Sequence, residues 1–308
     1  MSGTEAGPNV ATAAAPRPRV VLVDGVPMSG LIAAAADPQG VIVAFHGGAS
    51  TAAYFDCPGH PRLSLLRAGA AFGYTVIALD RPGYGASAPY PDSMQLPEQR
   101  VALAYGAIDK ILGSNGRGAG LFLLAHSAGC ELAVRMAADE TAEHAALIGL
   151  ELAGTGLQYA DAANEILKTA TATTRPVGLR GLLWQPAHLY PAEVLTGITN
   201  SSTGALYEAE MTKDWPRQVF PALAREVRVP VQFSVAEHER VWKSDSEALA
   251  EIAAMFTGSP RFVINEQVAA GHNLSLSLSA AAYHLKVLSF VEDCVVARQS
   301  ATTKLEAG

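Results

Sequence analysis

A serine at position 127 lies in a sequence context that can make its hydroxyl a nucleophile. The apolar run Gly120–Ala125 leads into Ala-His-Ser-Ala-Gly (residues 125–129), and a helical pattern begins at Cys130 without a linker. Small residues two positions before and after the serine let a strand and a helix approach closely, as in a nucleophile elbow that exposes the hydroxyl. The start of the helix also favours developing negative charge. The alternative is that Ser127 only caps the helix, since serine is a preferred N-cap residue.

A second segment offers backbone donors for an oxyanion hole. The apolar run Val41–Phe45 ends in His46, Gly47 and Gly48, and glycine lets the backbone turn its N–H groups toward a neighbouring site without a side chain in the way. Acyl transfer needs two such donors, and the loss of one typically costs about 10²–10³ in rate. The expected pair is the N–H of Gly48 and the N–H of Ala128. The alternative is a plain Gly-Gly turn.

His272 is the candidate general base. It stands in Ala-Gly-His-Asn (residues 270–273), between the last predicted strand and the closing helix. Histidine titrates near neutral pH, so a loop histidine can take the proton of a serine hydroxyl. His46, His126 and His238 belong to the motif loops and are candidates for lining the site. The remaining four histidines have no motif context.

An orienting carboxylate is the third group that such a site requires. The predicted strand Pro230–Val235 ends in Ala-Glu-His-Glu (residues 236–239), which makes Glu239 the first choice and Glu237 the competitor. Both could instead be solvated loop charges. Glu151 is the other alternative, because it interrupts an apolar strand where a buried carboxylate is costly unless it is paired.

The elements that must position these groups alternate between strand-like and helix-like patterns over the first 150 residues. This alternation is typical of a mainly parallel α/β sheet, here with an opening antiparallel pair. Between residues 154 and 228 the alternation stops, and recurring prolines and scattered aromatic residues predict a mostly helical insertion. The predicted organisation is a disordered leader 1–18, a first core segment 19–153, the insertion 154–228, a second core segment 229–298 and a flexible tail 299–308.

Together these features resemble the α/β-hydrolase superfamily over roughly residues 19–296. Ser127, Glu239 and His272 follow the chain order of its catalytic triads. His-Gly-Gly at 46–48 is similar to its oxyanion loop, and Asp-Arg-Pro-Gly-Tyr-Gly at 80–85 is similar to the loop after its fourth strand. Residues 236–239 resemble its Gly-x-x-Asp acid turn, with alanine and glutamate as departures. The resemblance implies an eight-stranded, mainly parallel sheet with helices on both faces, covered by a helical cap.

By this resemblance we expect a serine hydrolase that cleaves a carboxylic ester of a small hydrophobic substrate through an acyl-enzyme on Ser127. Thioesters and lactones fit the same machinery. A serine at the elbow disfavours epoxide hydrolase or haloalkane dehalogenase chemistry, because those members use aspartate there. The alternatives are a lyase, cyclase or acyltransferase of specialised metabolism, and a catalytically silent ligand-binding member, since fold does not decide function.

The composition of the chain excludes several other classes of protein. The chain has 308 residues, of which 49% are hydrophobic and 17% charged, with a net charge of −7. It lacks a Lys/Arg cluster for nucleic acid and an apolar run long enough for a membrane span. The start of the chain lacks the features of a secretory signal, so we expect a cytoplasmic protein. Three dispersed cysteines and the absence of phosphate-loop or metal-ligand spacing predict no cofactor and no metal. The sequence is compatible with a homo-oligomer.

Overall fold

Eight strands form one sheet in the part of the chain that the structure, a computed structural model, describes: residues 15–168, 177–197 and 202–306. They are β1 (Arg17–Val23), β2 (Val26–Ala33), β3 (Val41–Phe45), β4 (Thr75–Leu79), β5 (Leu121–His126), β6 (Leu147–Ala153), β7 (Val231–His238) and β8 (Phe262–Gly271). Their order in the sheet is β1-β2-β4-β3-β5-β6-β7-β8. The pairs β1–β2 and β2–β4 are antiparallel, and the other neighbours are parallel. The predicted fold class, a mainly parallel eight-stranded sheet, is confirmed.

Helices cover both faces of this sheet. They are α1 (Leu65–Ala71), α2 (Pro97–Leu112), α3 (Gly129–Ala138), α4 (Thr141–His144), α5 (Asp161–Leu167), α6 (Leu179–Leu183), α7 (Ala192–Gly197), α8 (Glu208–Asp214), α9 (Phe220–Ala224), α10 (Ser246–Met255) and α11 (Ala280–Glu306). None of these described helices is both long enough and apolar enough to cross a membrane.

The core occupies both faces because successive residues of a strand point to opposite sides of the sheet. On β3, Val43 and Phe45 pack with the layer that contains α2 and α3, whereas Ile42 and Ala44 pack with the layer that contains α1 and α11. Parallel strands that are covered on both faces become continuous apolar runs. This explains why β3, β4 and β5 lack the alternation of half-exposed strands.

The insertion between β6 and β7 is helical in its described residues, which form α5 to α9. The indole N–H of Trp215 donates to the Thr155 hydroxyl oxygen at 2.9 Å, and its ring stacks on Phe220 with centroids 4.7 Å apart. Both aromatic side chains are buried in the core layer beneath the insertion. Because that layer also contains residues of β6 and β7, burial of the two rings attaches the insertion to the sheet domain.

The first strand and the last helix extend farther toward the ends of the chain than the sequence predicts. Arg17 already pairs with Ile32 of β2, so the predicted leader 1–18 overlaps the first strand, and its residues 1–14 lie outside the described residues. Helix α11 continues to Glu306, so residues 299–306 of the predicted tail are helical. The sequence has no glycine or proline between Ala280 and Glu306 that would end the helix earlier.

The segment Arg261–Ile264 predicts a short last strand, but strand β8 continues past Ile264 to Gly271. Its polar second half stays paired with β7, for example Asn265 with Ser234. Since β8 is the last strand of the sheet, one of its edges has no strand beside it, and polar residues are tolerated there. As a result, the strand leads without a loop into His272.

Glu151 lies in the middle of β6 and is fully buried. Its Oε1 accepts a hydrogen bond from the Tyr283 hydroxyl of α11 at 3.0 Å. Burial raises the pKa of Glu151 to about 8, although the neighbouring polar groups of Ser234, Gln232 and Tyr283 lower it. The folded protein therefore keeps this carboxyl protonated at pH values where an unfolded chain would release the proton.

We expect this buried acid to make the free energy of unfolding fall as the pH rises from about 4.5 to about 8, because only the folded state still binds the proton. The slope from this group approaches about 1.4 kcal/mol per pH unit. Glu151→Gln should remove that slope, and its stability relative to the unsubstituted protein should be higher at pH 8 than at pH 5. Denaturant unfolding at several pH values across this range measures the free energy of unfolding of both proteins. If the two free energies change in parallel with pH, Glu151 is not the group responsible.

Candidate active site

Ser127 lies at the tight turn between β5 and α3. Its φ is +52°, in the left-handed region that costs an L-residue about 1–2 kcal/mol. Its N–H donates to the Ala153 carbonyl oxygen at 2.8 Å, and its own carbonyl accepts from the Cys130 N–H at 2.9 Å. Helix α3 starts from Ala128 without a side-chain cap, so Ser127 does not serve as the capping side chain. The strained turn leaves its side chain partly exposed.

The turn after β3 lies directly against this serine. A Cβ added to Gly47 would be 3.1 Å from the Ser127 Cβ, and one added to Gly48 would be 3.9 Å from the Ala128 Cβ. Among the described residues, the N–H groups of Gly48 and Ala128 donate no hydrogen bond to another residue. Gly48 and Ala128, whose N–H groups are expected to form an oxyanion hole, are therefore neighbours across the two turns.

His46 fixes the start of that turn. Its Nε2 accepts a hydrogen bond from the Arg81 N–H at 3.1 Å, so the ring proton is on Nδ1, which donates to the Gly47 carbonyl oxygen at 2.8 Å. Burial, and then the positive charge of Arg81, hold the pKa of His46 well below its usual value. The imidazole is therefore neutral, and its part in the site is to hold the backbone.

His272 and Glu239 form a buried pair. The Nδ1 of His272 is 2.9 Å from Oε2 and 3.0 Å from Oε1 of Glu239, and the two side chains are 1% and 3% exposed. The N–H groups of Val241 and Arg240 also donate to the carboxylate, at 2.7 and 3.0 Å. The other ring nitrogen, Nε2, is buried and has no hydrogen-bond partner in the described part of the chain. Glu239 thus fixes the orientation of the His272 imidazole and leaves its Nε2 without a hydrogen bond.

The charge state of Glu239 follows from these contacts. Burial alone raises the pKa of the carboxyl, but the attraction of His272, its hydrogen bond and the N–H groups of Val241 and Trp242 together lower it below the ordinary value of 4.5. Glu239 is therefore a carboxylate at neutral pH. A carboxylate at Nδ1 favours the tautomer that leaves Nε2 free to accept a proton.

His126 links the turn that carries Ser127 to the segment that carries His272. Its Nε2 donates to the His272 carbonyl oxygen at 2.8 Å, its ring stacks on Tyr54 at 4.6 Å, and the two histidine rings are 4.9 Å apart. Burial, followed by the neighbouring His272, holds the pKa of His126 well below its usual value, so it is neutral. Of the motif-loop histidines, His46 and His126 therefore support the backbone of the site.

The other predicted acid candidates lie elsewhere. The exposed Glu237 accepts from the Ala269 N–H at 2.7 Å and lies 3.9 Å from Nε2 of His238. Glu151 contacts Tyr283, as described above. Of the three glutamates considered, Glu239 is the one that contacts His272.

Arg81 is a site residue whose role the sequence did not indicate. It is fully buried beneath the turn after β3, where Nη2 donates to the Gly47 carbonyl oxygen at 3.1 Å. It also pairs with Glu208 of α8. The motif at residues 80–85 marked a loop, but the fold alone shows that its arginine is turned inward.

The comparisons with known proteins agree with this architecture. The model of the Alpha/beta hydrolase family matches residues 41–283, and the chain belongs to that family. No match was found among curated proteins.

Solved structures show the same fold at low identity. A lipase in its open form has a TM-score of 0.65 and 14% identity, over 91% of this chain and 99% of that one. Proline iminopeptidase of Mycobacterium smegmatis has a TM-score of 0.63 and 15% identity, over 91% and 99%. An epoxide hydrolase from Vigna radiata has a TM-score of 0.61 and 16% identity, over 90% and 98%.

We expect Gly154→Ala to displace the imidazole of His272, the candidate base. Gly154 has a φ of +66°, and a Cβ there would lie 3.1 Å from Cε1 of His272 and 3.0 Å from Nε2 of His126. The protein should lose about 1–3 kcal/mol of stability and react about tenfold more slowly with a serine-directed fluorophosphonate, since the imidazole is displaced.

Gly59→Ala is the matched control, because Gly59 also has a positive φ (+80°) and open space around it. It should lose stability without losing reactivity. Equal reactivity of the two variants would show that Gly154 does not determine the position of His272.

Proposed function

We propose that this chain is a serine hydrolase that cleaves a carboxylic ester of a small hydrophobic substrate. The observation that carries the proposal is the unengaged, buried Nε2 of His272, whose ring is held at Nδ1 by Glu239 close to the turn that carries Ser127. A nucleophile, a base and a group that orients the base are the parts that covalent acyl transfer requires. Thioesters and lactones present the same carbonyl to them.

The reaction would proceed through an acyl-enzyme. The Ser127 hydroxyl oxygen attacks the carbonyl carbon while Nε2 of His272 takes its proton, and Glu239 stabilises the resulting imidazolium. The N–H groups of Gly48 and Ala128 receive the oxyanion. Collapse of the tetrahedral intermediate expels the alcohol, which takes the proton from His272. Water then attacks the acyl carbon by the same route and releases the acid.

The insertion packs closely against the segment around His272, and this supports a small substrate. A Cβ on Gly271, next to the base, would lie 2.6 Å from both the Tyr190 hydroxyl and the Gln185 carbonyl oxygen. The Asn273 side-chain amide donates to the Leu183 carbonyl oxygen at 2.9 Å. The insertion thus rests on the loop that carries His272 and limits the room beside it. Such enclosure excludes water from the reacting groups, as a cap does.

Labelling with a fluorophosphonate tests the nucleophile directly. The unsubstituted protein should gain one adduct by intact mass, Ser127→Ala should gain none, and His272→Ala should react at least about 10²-fold more slowly because the hydroxyl loses its base. Ser50→Ala, at a serine near the same turn, should label normally. A Ser127→Ala protein that still labels would place the reactive serine elsewhere.

Glu239→Gln tests the orienting acid. An amide N–H facing His272 would force Nδ1 to accept and Nε2 to carry the proton, so kcat for an activated ester should fall about 10²–10⁴-fold. Because the pKa of Glu239 lies below 4.5, the stability that it contributes is present at neutral pH and is lost as the pH falls through its folded value. Glu237→Gln is the matched control and should stay within about twofold in kcat. Equal losses in the two variants would contradict the assignment.

A further inference from the structure

A carboxylate of the insertion reaches the turn that carries the proposed oxyanion donor. Glu208, the first residue of α8, has a side chain that is only 14% exposed. One of its oxygens pairs with Arg81, and the other accepts from the Tyr84 hydroxyl at 2.7 Å. A Cβ on Gly48 would lie 3.4 Å from this second oxygen, so the carboxylate rests directly against the turn.

Arg81 transmits this contact to the backbone on one side of the turn. Its guanidinium donates to the Gly47 carbonyl oxygen at 3.1 Å and lies within 3.5 Å of the Ala128 carbonyl oxygen. Burial lowers the pKa of Arg81, but the adjacent Glu208 more than offsets this and leaves it above the ordinary value. The side chain is therefore charged, and its hydrogen bonds are of the stronger, charge-assisted kind.

The geometry of one peptide unit connects these contacts to the oxyanion donor. The Gly47 carbonyl and the Gly48 N–H belong to the same peptide, which is trans and planar, so the direction of the first sets the direction of the second. His46 and Arg81 both donate to that carbonyl. Together they hold the Gly48 N–H on the opposite side of the peptide.

Tyr84 fixes the other side of the turn. Its hydroxyl oxygen accepts from the Ala49 N–H at 3.0 Å while its hydroxyl proton goes to Glu208. The two oxygens of one carboxylate thus hold the turn on both sides of Gly48, through Arg81 and through Tyr84. The negative charge of Glu208 would oppose an oxyanion, but its pairing with Arg81 neutralises it, and what remains is its effect on geometry.

We propose that Glu208 is a positioning residue for the oxyanion hole. Through Arg81 and Tyr84 it sets the direction of the Gly48 N–H, so the site is complete only when α8 is docked on the turn. This inference rests on the proposed function for its kinetic consequence. The mechanical link between Glu208 and the turn does not depend on any activity.

Hydrogen exchange measures the link itself. In Glu208→Ala, a peptide that spans residues 47–50 should exchange at least about tenfold faster at the Ala49 amide, because the acceptor Tyr84 is no longer held. Glu210→Ala, at an exposed glutamate of the same helix, is the matched control and should exchange like the unsubstituted protein. If Glu208→Ala exchanges faster over the whole chain, Glu208→Asp, which keeps the carboxylate but shortens its reach to Arg81 and Tyr84, provides the same comparison. Unchanged exchange at Ala49 in the comparable variant would overturn the proposal.

The kinetics of ester hydrolysis measure the effect of Glu208 on the rate. Glu208→Ala should lower kcat about 10- to 100-fold, with KM within about threefold and an unmoved pH profile, because transition-state stabilisation is lost and Glu239 and His272 are untouched. Glu208→Gln should lose less, since its one amide oxygen still accepts from Arg81, whereas its NH2 group replaces the oxygen that accepts from Tyr84. If Glu208→Ala instead raises KM and leaves kcat unchanged, Glu208 contacts the substrate. If Glu208→Ala and Glu208→Gln lower kcat equally, the charge of Glu208 is what matters. Either result overturns the positioning role.

The two measurements separate the two proposals. If the unsubstituted protein neither labels with fluorophosphonate nor hydrolyses esters, the proposed function fails, and hydrogen exchange alone decides whether Glu208 holds the turn. If it is active and exchange at Ala49 is unchanged in Glu208→Ala, the proposed function stands and the positioning role fails.

Discussion

The close approach of two turns is the constraint on which the rest of the site depends. A Cβ on Gly129 would lie 2.5 Å from the Phe45 carbonyl oxygen, so helix α3 can start where it does only with glycine there. Protein interiors are packed too densely for such a contact to relax freely. The left-handed backbone of Ser127 is a consequence, because the chain must reverse within two residues to pass from β5 into α3. Strain of this kind persists where the surrounding structure over-determines it.

His272, the proposed base, is held by a different kind of force. A buried carboxylate and imidazole carry a desolvation cost that is offset only when their geometry and remaining hydrogen bonds are good. Glu239 meets this condition through two contacts with Nδ1 and further backbone donors at residues 240 and 241. The extra methylene of glutamate, compared with the commoner aspartate, therefore does not prevent a well-satisfied carboxylate at this position.

Much of this arrangement could be predicted from sequence, because the signals were local. The strand-to-helix spacing around Ser127, the glycines after β3 and the resumption of strands after the insertion all lie within short segments. The choice among Glu239, Glu237 and Glu151 could not be made in this way, since it depends on where three side chains point in space. The polar half of β8 was missed because its pairing with β7, not its composition, makes it a strand.

The contact between Arg81 and Glu208 was beyond sequence reasoning for the same reason. The two residues are 127 positions apart, and Arg81 belongs to a loop whose composition predicts only turns. A buried cation is costly alone, but an isolated arginine in a sequence gives no indication that it will be buried. Its partner in the insertion carries the same ambiguity, because the first turn of a helix commonly contains glutamate.

Both atoms proposed to bind the oxyanion belong to the main chain. No exchange of a side chain can delete the N–H of Gly48 or of Ala128, short of introducing proline. A side-chain substitution near this site can therefore change only the direction of these N–H donors. Different substitutions should lower the rate by different amounts and should not abolish it. Substitutions elsewhere in the insertion should therefore leave the direction of these donors unchanged, provided that the contacts of Glu208 with Arg81 and Tyr84 are kept.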